Sequence, residues 1–339
     1  MIRKTLICSM AVLIAMPAFA RKKKLVVTTT GENLVALTQV TDNKYPCISP
    51  TGGENGRNLY YAVNEDGRYY NIYKKDNAYA AATSQKTSGR NYNISPVYNA
   101  QTDRIAFRCM NEGMSTSEIF MTPNTNSKAL TQVTETSNAF EGNPSFSPNG
   151  KLLVYDRQMY KWVSNFSALH WLLGIRWSSS TLLEKSEIWV KDLVSNENTL
   201  LGNGYQPSVS PNGRKIAFVK YSGDAKSCNI FIMDIDGSNI VQITDAKKGF
   251  AFYPHWSPSG KKLVFQLTKK DKGDADIYTI DIDGNNLTQL TNNKSHDGMP
   301  YWTKDGNVFF VSDRGNEEGN YQIWRFKLSD ILVFVVPYV

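Results

Sequence analysis

Four cysteines and three histidines are the whole supply of soft and imidazole ligands in this 339-residue sequence, and no cysteine pair has metal-site spacing. Cys8 lies too early in an N-terminal apolar run to be the lipidated cysteine of a lipoprotein. The other three, Cys47, Cys109 and Cys228, are odd in number, so at least one thiol stays unpaired and a disulfide framework is not expected. His170, His255 and His296 are far apart in the chain and lack metal-ligand spacing. A Gly-x-Ser-x-Gly elbow and phosphate-binding glycine loops are missing, which excludes an appended serine-hydrolase domain and the common nucleotide folds. Apolar runs all fall short of the roughly 20 residues that span a bilayer as a helix. Helical periodicity is nearly absent. The expectation is a chain with no catalytic set, no metal and no cofactor.

What is present begins with a leader. Arg3 and Lys4 precede an apolar run over residues 6–15, and Ala18-Phe19-Ala20 has the small-x-small form of a cleavage site, so residues 1–20 read as a signal peptide. Residues 21–33 follow as a basic segment opening with Arg21-Lys22-Lys23-Lys24, suited to weak association with anionic envelope surfaces. A composition of 41% hydrophobic and 20% charged residues is that of a soluble globular protein and gives no sign of disorder. The net charge of +7 falls to +5 without Arg3 and Lys4, too modest to imply a nucleic-acid partner.

Self-similarity is the dominant signal, and a fixed period of roughly 40 to 50 residues points to a propeller or solenoid. The block Pro144-Ser-Phe-Ser-Pro-Asn-Gly-Lys-Leu-Leu-Val-Tyr155 recurs without gaps at residues 207–218 and 254–265, with weaker copies starting at Pro46, Pro96 and Pro300. Downstream of each proline comes an isoleucine and an aromatic: Ile72-Tyr73, Ile119-Phe120, Ile188-Trp189, Ile230-Phe231, Ile277-Tyr278 and Ile323-Trp324. A closing element of the form Leu-Thr-Gln-Val-Thr ends at Thr134, Thr244 and Thr291. Ser-Pro-Asn-Gly and Asp-Gly make tight turns between runs rich in Val, Ile, Phe and Tyr, so each unit reads as a four-stranded antiparallel blade.

A lone blade cannot bury both faces, so the blades must stack around a ring that leaves no open edge. Leu37-Thr-Gln-Val-Thr41 precedes the first anchor proline and has no blade of its own, while the sixth copy lacks a closing element. The fold class predicted is therefore all-β: a six-bladed β-propeller over residues 34–328, closed by its N-terminal strand. The apolar tail, residues 329–339, fits none of the markers.

The Ser-Pro-Asn-Gly-Lys blocks, Asp156-Arg157, Ser312-Asp313-Arg314, Ile230-Phe-Ile-Met-Asp-Ile-Asp-Gly237 and Leu287-Thr-Gln-Leu-Thr291 together resemble the TolB-like β-propeller repeat family over residues 34–328. TolB itself carries an α/β domain ahead of its propeller, for which the residues between Ala20 and Leu34 leave no room. The resemblance implies a six-bladed ring used for protein–protein interaction in the periplasm, free or held at the outer membrane, acting as a monomer on envelope proteins.

The anchor prolines flanking the third repeat are 63 residues apart, which places an insertion at residues 158–185. It holds Tyr160, Trp162, Phe166, Trp171, Arg176 and Trp177, and reads either as a partner-recognition loop or as an Ω-loop or short helix packed on its blade. Asp234-Ile-Asp236-Gly237 and Asp281-Ile-Asp283-Gly284 have glycine in the wrong place for an EF-hand and read as hairpin turns. Trp256 and Trp302 occupy equivalent repeat positions and read as core. The alternative to a scaffold is a carbohydrate-binding or lyase-type propeller using the axial channel, for which His255 and His296 would have to converge with nearby acids.

Overall fold

The computed structural model describes residues 34–328 apart from 54–57, 77–81, 112–115, 126–128, 165–178, 222–226, 246–248, 270–273 and 317–318. The leader, the basic segment and the apolar tail lie outside the described residues. Among those described there is no α-helix, and the strands pair antiparallel in groups of four, with single parallel pairs, Tyr70↔Tyr92 and Cys228↔Phe250, joining the first group to the second and the fourth to the fifth.

The first group is β2 (Cys47–Gly52), β3 (Leu59–Asn64), β4 (Tyr70–Lys75) and β5 (Thr83–Gln85); the second is β6 (Asn91–Asn99), β7 (Arg104–Asn111), β8 (Glu118–Pro123) and β9 (Thr131–Gln132). The third is β10 (Phe140–Phe146), β11 (Leu152–Ser164), β12 (Ser179–Asp192) and β13 (Asn198–Asn203), and the fourth β14 (Tyr205–Val209), β15 (Lys215–Tyr221), β16 (Cys228–Asp234) and β17 (Val241–Gln242). The fifth is β18 (Gly249–Trp256), β19 (Lys262–Lys269), β20 (Ala275–Asp281) and β21 (Thr288–Gln289). In the last, β22 (Asp297–Trp302), β23 (Asn307–Ser312) and β24 (Gln322–Lys327) are joined by β1 (Val35–Gln39), which pairs with β24 through Thr38↔Arg325 and Gln39↔Trp324.

The core lies between groups, because successive residues of a strand face opposite sides of the sheet. On β11, Leu153 and Tyr155 pack with Ala106, Ile119 and Met121 of the second group, while Val154 packs with Ile216 and Phe218 of the fourth. On β19, Leu263 and Phe265 face the fourth group and Val264 faces Trp302, Val308 and Phe310 of the last. Each such aromatic or aliphatic side chain stabilises the fold by roughly 1.5–3 kcal/mol when fully buried.

The recurring threonine has a definite job. The backbone N–H of Ile72, Ile119, Ile230 and Ile277 donates to the hydroxyl of Thr87, Thr134, Thr244 and Thr291 at 2.8, 2.9, 2.9 and 2.9 Å. That hydroxyl in turn donates to the polar residue just before the isoleucine: Asn71, Glu118, Asn229 or Asp276. In the last group the same clamp is made across the two ends of the chain, Ile323 N–H donating to Thr41 at 2.8 Å and Thr41 to Gln322 at 2.9 Å. The buried ammonium of Lys75 donates to the Val40 carbonyl and ties the first group to the same strand. Only the third group replaces the clamp, with Gly204 N–H donating to Ser186 O and Ser186 Oγ to Gly204 O.

Hydrogen bonds also link each group to the next in cyclic order. Asn93 donates to Asn71, Asn99 to Ser147 O, Val209 N–H to Ser145 Oγ, Trp256 Nε1 to Ser208 O, Trp302 N–H to His255 Nδ1 and Tyr301 OH to Gly52 O.

Thr41→Val removes a buried acceptor and donor while keeping the shape of the side chain, and each orphaned partner costs about 1–3 kcal/mol. Thermal melting of Thr41→Val beside Thr244→Val should show equal losses. A negligible loss at Thr41 alone would make β1 peripheral to the fold.

Candidate functional site

The first strands of the six groups, β2, β6, β10, β14, β18 and β22, carry one shared irregularity. Ser49, Ser95, Asn143, Gln206, Tyr253 and Met299 have φ of 54, 52, 46, 52, 52 and 49°, and each precedes a proline. Left-handed backbone at a residue with a Cβ costs about 1–2 kcal/mol, so these conformations persist only where the surroundings impose them. At every one the strand register slips, so an extra residue bulges out of the ladder. The alignment corrects one expectation. The proline of the first group is Pro50, inside β2, and not Pro46, which precedes the strand; Pro50 is followed by Pro96 after the usual spacing of 46 residues.

The bulges turn the proline rings toward a common cavity of about 330 Å³, whose wall includes nine prolines. Six are the bulge prolines, Pro50, Pro96, Pro144, Pro207, Pro254 and Pro300, and Pro148, Pro211 and Pro258 come from the Ser-Pro turns. Tyr98, Tyr253, Tyr301 and Trp256 add aromatic surface, and Lys304 is the one charged side chain of the wall.

His255 belongs to this wall. Its ring lies 4.0 Å from that of Tyr301, and Nδ1 accepts the Trp302 N–H at 3.3 Å, which places the proton of the neutral ring on Nε2. Burial pulls its pKa down to about 4. His296 stands before β22, at the other end of the neighbouring strand, with Nε2 3.4 Å from Gln266 Nε2 and its ring edge-on to Tyr321. The two histidines therefore do not converge. Among the described residues no group of three or more His, Cys, Asp and Glu side chains is placed to hold a metal ion; His170 lies outside them. Trp256 and Trp302 are buried in the inter-group clusters, as read from the repeat. Asp234 and Asp281 open hairpin turns, accepting the N–H of Gly237 and Gly284 at 2.9 Å. Cys47, Cys109 and Cys228 are buried and in no disulfide, and burial raises the pKa of Cys47 and Cys109 to about 11.

The two flanks of the insertion are strand, and residues 165–178 between them lie outside the described residues. The strand does not end at Arg157: β11 runs to Ser164 and β12 returns from Ser179, paired from Met159↔Lys185 to Ser164↔Ser179 as a two-stranded ribbon. Tyr160 and Trp162 lie on β11, opposite Leu183 and Thr181. Phe166, Trp171, Arg176 and Trp177 lie outside the described residues. Phe146 pairs with Leu153 beside the cavity, whereas Phe140 pairs with Gln158, beyond which the ribbon leaves the sheet. Ribbon and cavity thus belong to opposite ends of the third group.

A buried ionic cluster stands at the ribbon's root. Glu141 accepts from Arg157 Nε at 2.8 Å and lies 2.7 Å from its Nη2, and the Arg157 guanidinium covers the Trp189 ring at 4.3 Å. Burial pushes the Glu141 carboxyl well above the usual range against the pull of Arg157. Asp156, fully buried, accepts from Asn143 and from the Gln206 N–H of the next group at 2.8 and 2.7 Å. Asp156 and Arg157 were visible in the sequence only as a family string.

Residues 184–336 match the family model described as TolB beta propeller domain. Within that span the chain carries TolB-like propeller repeats. A solved structure assigned as TolB from Agrobacterium tumefaciens is 19% identical with a TM-score of 0.57, over 86% of this chain and 93% of that one. TolB from Acinetobacter baumannii is 17% identical with a TM-score of 0.55, over 81% of this chain and 65% of that one. The oligogalacturonate lyase of Vibrio parahaemolyticus is 12% identical with a TM-score of 0.56, over 89% and 96%. The curated proteins contain no match. At these identities the likeness speaks for the TolB-like fold and leaves chemistry open.

His255 gives a pH signature. Its folded pKa, about 4, lies below the unfolded value of 6.5, so its contribution is complete above pH 6.5 and is lost as pH falls through 4. The loss is on the order of 2–3 kcal/mol. Melting temperatures of wild type and His255→Gln between pH 7.5 and 4 should diverge, with the variant holding its stability further into acid.

Proposed function

We propose that the chain is a six-bladed β-propeller closed by its N-terminal strand, exported by the leader at residues 1–20, and that it works as a non-enzymatic interaction scaffold of the cell envelope. The observation that carries this reading is the cavity shared by all six first strands. A wall of proline and aromatic rings around a neutral, hydrogen-bonded imidazole offers apolar contact and backbone carbonyls, which suits an inserted segment of another protein. The cyclic order of the inter-group hydrogen bonds supports the ring, and the clamp between Thr41 and Ile323 supports its closure. The insertion at residues 158–185, with Tyr160, Trp162, Phe166, Trp171, Arg176 and Trp177, is a second contact.

A carbohydrate-active reading draws support from the likeness to the lyase. The separation of His255 from His296 weighs against a histidine-based centre in this chain.

The test places a photo-crosslinking amino acid at Tyr253, in the cavity wall, and separately at Trp162, on the ribbon, in intact cells of the source organism. The scaffold reading expects discrete protein adducts from Tyr253, abolished by Pro254→Arg, which fills the cavity. Adducts from Trp162 alone would move docking to the ribbon, and adducts from neither would end the scaffold reading.

A further inference from the structure

The turns that leave the first strands form the rim of the cavity, and they pack on one another. Gly150, Gly213 and Gly260 each donate their N–H to the serine three residues earlier, at 2.8, 2.8 and 2.9 Å. A Cβ added at Gly150 would meet Thr102 of the second group at 2.5 Å, one at Gly213 would meet Pro148 of the third at 3.1 Å, and one at Gly260 would meet Pro211 of the fourth at 3.9 Å. Because successive turns touch, the residues beside these glycines follow one another around the rim. They are cations. Lys151, Arg214 and Lys261 come from three consecutive groups, Lys304 of the last group lines the cavity itself, and all four are exposed.

The acids of the neighbouring outer turns are engaged elsewhere. Asp234 lies 2.7 Å from Lys215, and Asp281 pairs with Lys262, in each case the second basic residue after the glycine. Among the described residues two acids share the rim turns, Asp103 at the second group's counterpart of Lys151 and Asp305, and both accept hydrogen bonds there: Asp103 from Tyr98 OH at 2.8 Å, Asp305 from Asn307 at 2.7 Å. The rim therefore carries an excess of positive charge above an apolar wall.

We propose that this rim is a collar for carboxylates, and that the partner entering the cavity is an acidic, extended protein segment. Its apolar side chain seats on the prolines while flanking Asp and Glu residues meet Lys151, Arg214, Lys261 and Lys304. The inference rests on the protein-docking reading of the cavity. A polyuronate chain would match the collar, but it would leave its hydroxyls facing proline rings, with Lys304 as the one cation in the wall.

The experiment is fluorescence anisotropy with three labelled synthetic peptides built around one central Trp-Pro, flanked by Asp and Glu, by Ser, or by Lys, with tri-galacturonate as a further probe. The acidic peptide should bind about tenfold or more tightly than the Ser-flanked one at low salt, and lose that advantage near 0.5 M salt, where the Debye length shrinks to about 4 Å. The triple variant Lys151→Glu, Arg214→Glu, Lys261→Glu should abolish the preference with an unchanged melting temperature; if it fails to fold, the triple Gln variant serves and should reduce the preference. Equal binding of acidic and Ser-flanked peptides would overturn the collar and leave the docking reading standing. Absence of binding by all three would overturn both, and binding of tri-galacturonate alone would assign the rim to an acidic sugar.

Discussion

Everything in this fold depends on a strand from the start of the chain finding a strand near its end. The Ile323 N–H and the Thr41 hydroxyl are separated by 282 residues, yet at 2.8 Å they make the contact that closes four of the other groups locally. Loop-closure entropy makes such a contact unfavourable until the intervening groups have stacked. Once they have, β1 covers what would otherwise be an open edge of β24, and Leu34 and Leu37 join the cluster around Trp302, Val308 and Phe326. The inter-group packing and the closing strand are therefore one cooperative unit, since neither buries its surface without the other.

Much of this was legible because tight turns and buried strands have strong local signatures. The Ser-Pro-Asn-Gly turn is specific for a mechanism: Ser147 and Ser210 each accept the N–H five residues on at 2.9 Å, and the glycine takes up the left-handed φ. The Ile-aromatic pair and the Thr of the closing element were visible as separate markers, and the structure joins them by a hydrogen bond. Thr87 was missed because Gln85-Lys86-Thr87 lacks the leucine and valine around it. The wrong first anchor, Pro46, has a similar cause. Ser-Pro-Thr-Gly-Gly around Pro50 departs from the template after its proline, and only the bulge identifies it.

An axial channel was expected from the ring, but its proline lining was not legible, and the reason is geometric. A proline in a strand interior ordinarily argues against a central strand, since it cannot donate to the ladder. Here the missing donor is absorbed by the bulge, and the residue before it takes a left-handed φ that proline's own ring discourages elsewhere. Sequence spacing shows that the prolines recur; it cannot show that a bulge points all six at one axis. Attention fell instead on the aromatic insertion, whose composition is conspicuous while its placement, a ribbon on the opposite face, depends on register.

The two faces differ in how they can respond to a partner. Around the cavity, successive turns interlock through glycine and proline, and the left-handed residues are held from both sides, as when Tyr253 N–H donates to Gln206 Oε1 of the preceding group. Such a wall is preorganised, so a segment entering it pays mainly its own ordering entropy. At the ribbon's root the restraints are ionic: Arg157 is shared between Glu141 and the Trp189 ring, and the carboxyl it holds is itself disfavoured in its charged form. A buried pair of that kind contributes little net stability while fixing one arrangement of the strands it joins. Rigidity therefore belongs to the wall of the proline cavity, and the orientation of the ribbon's root to a single arginine.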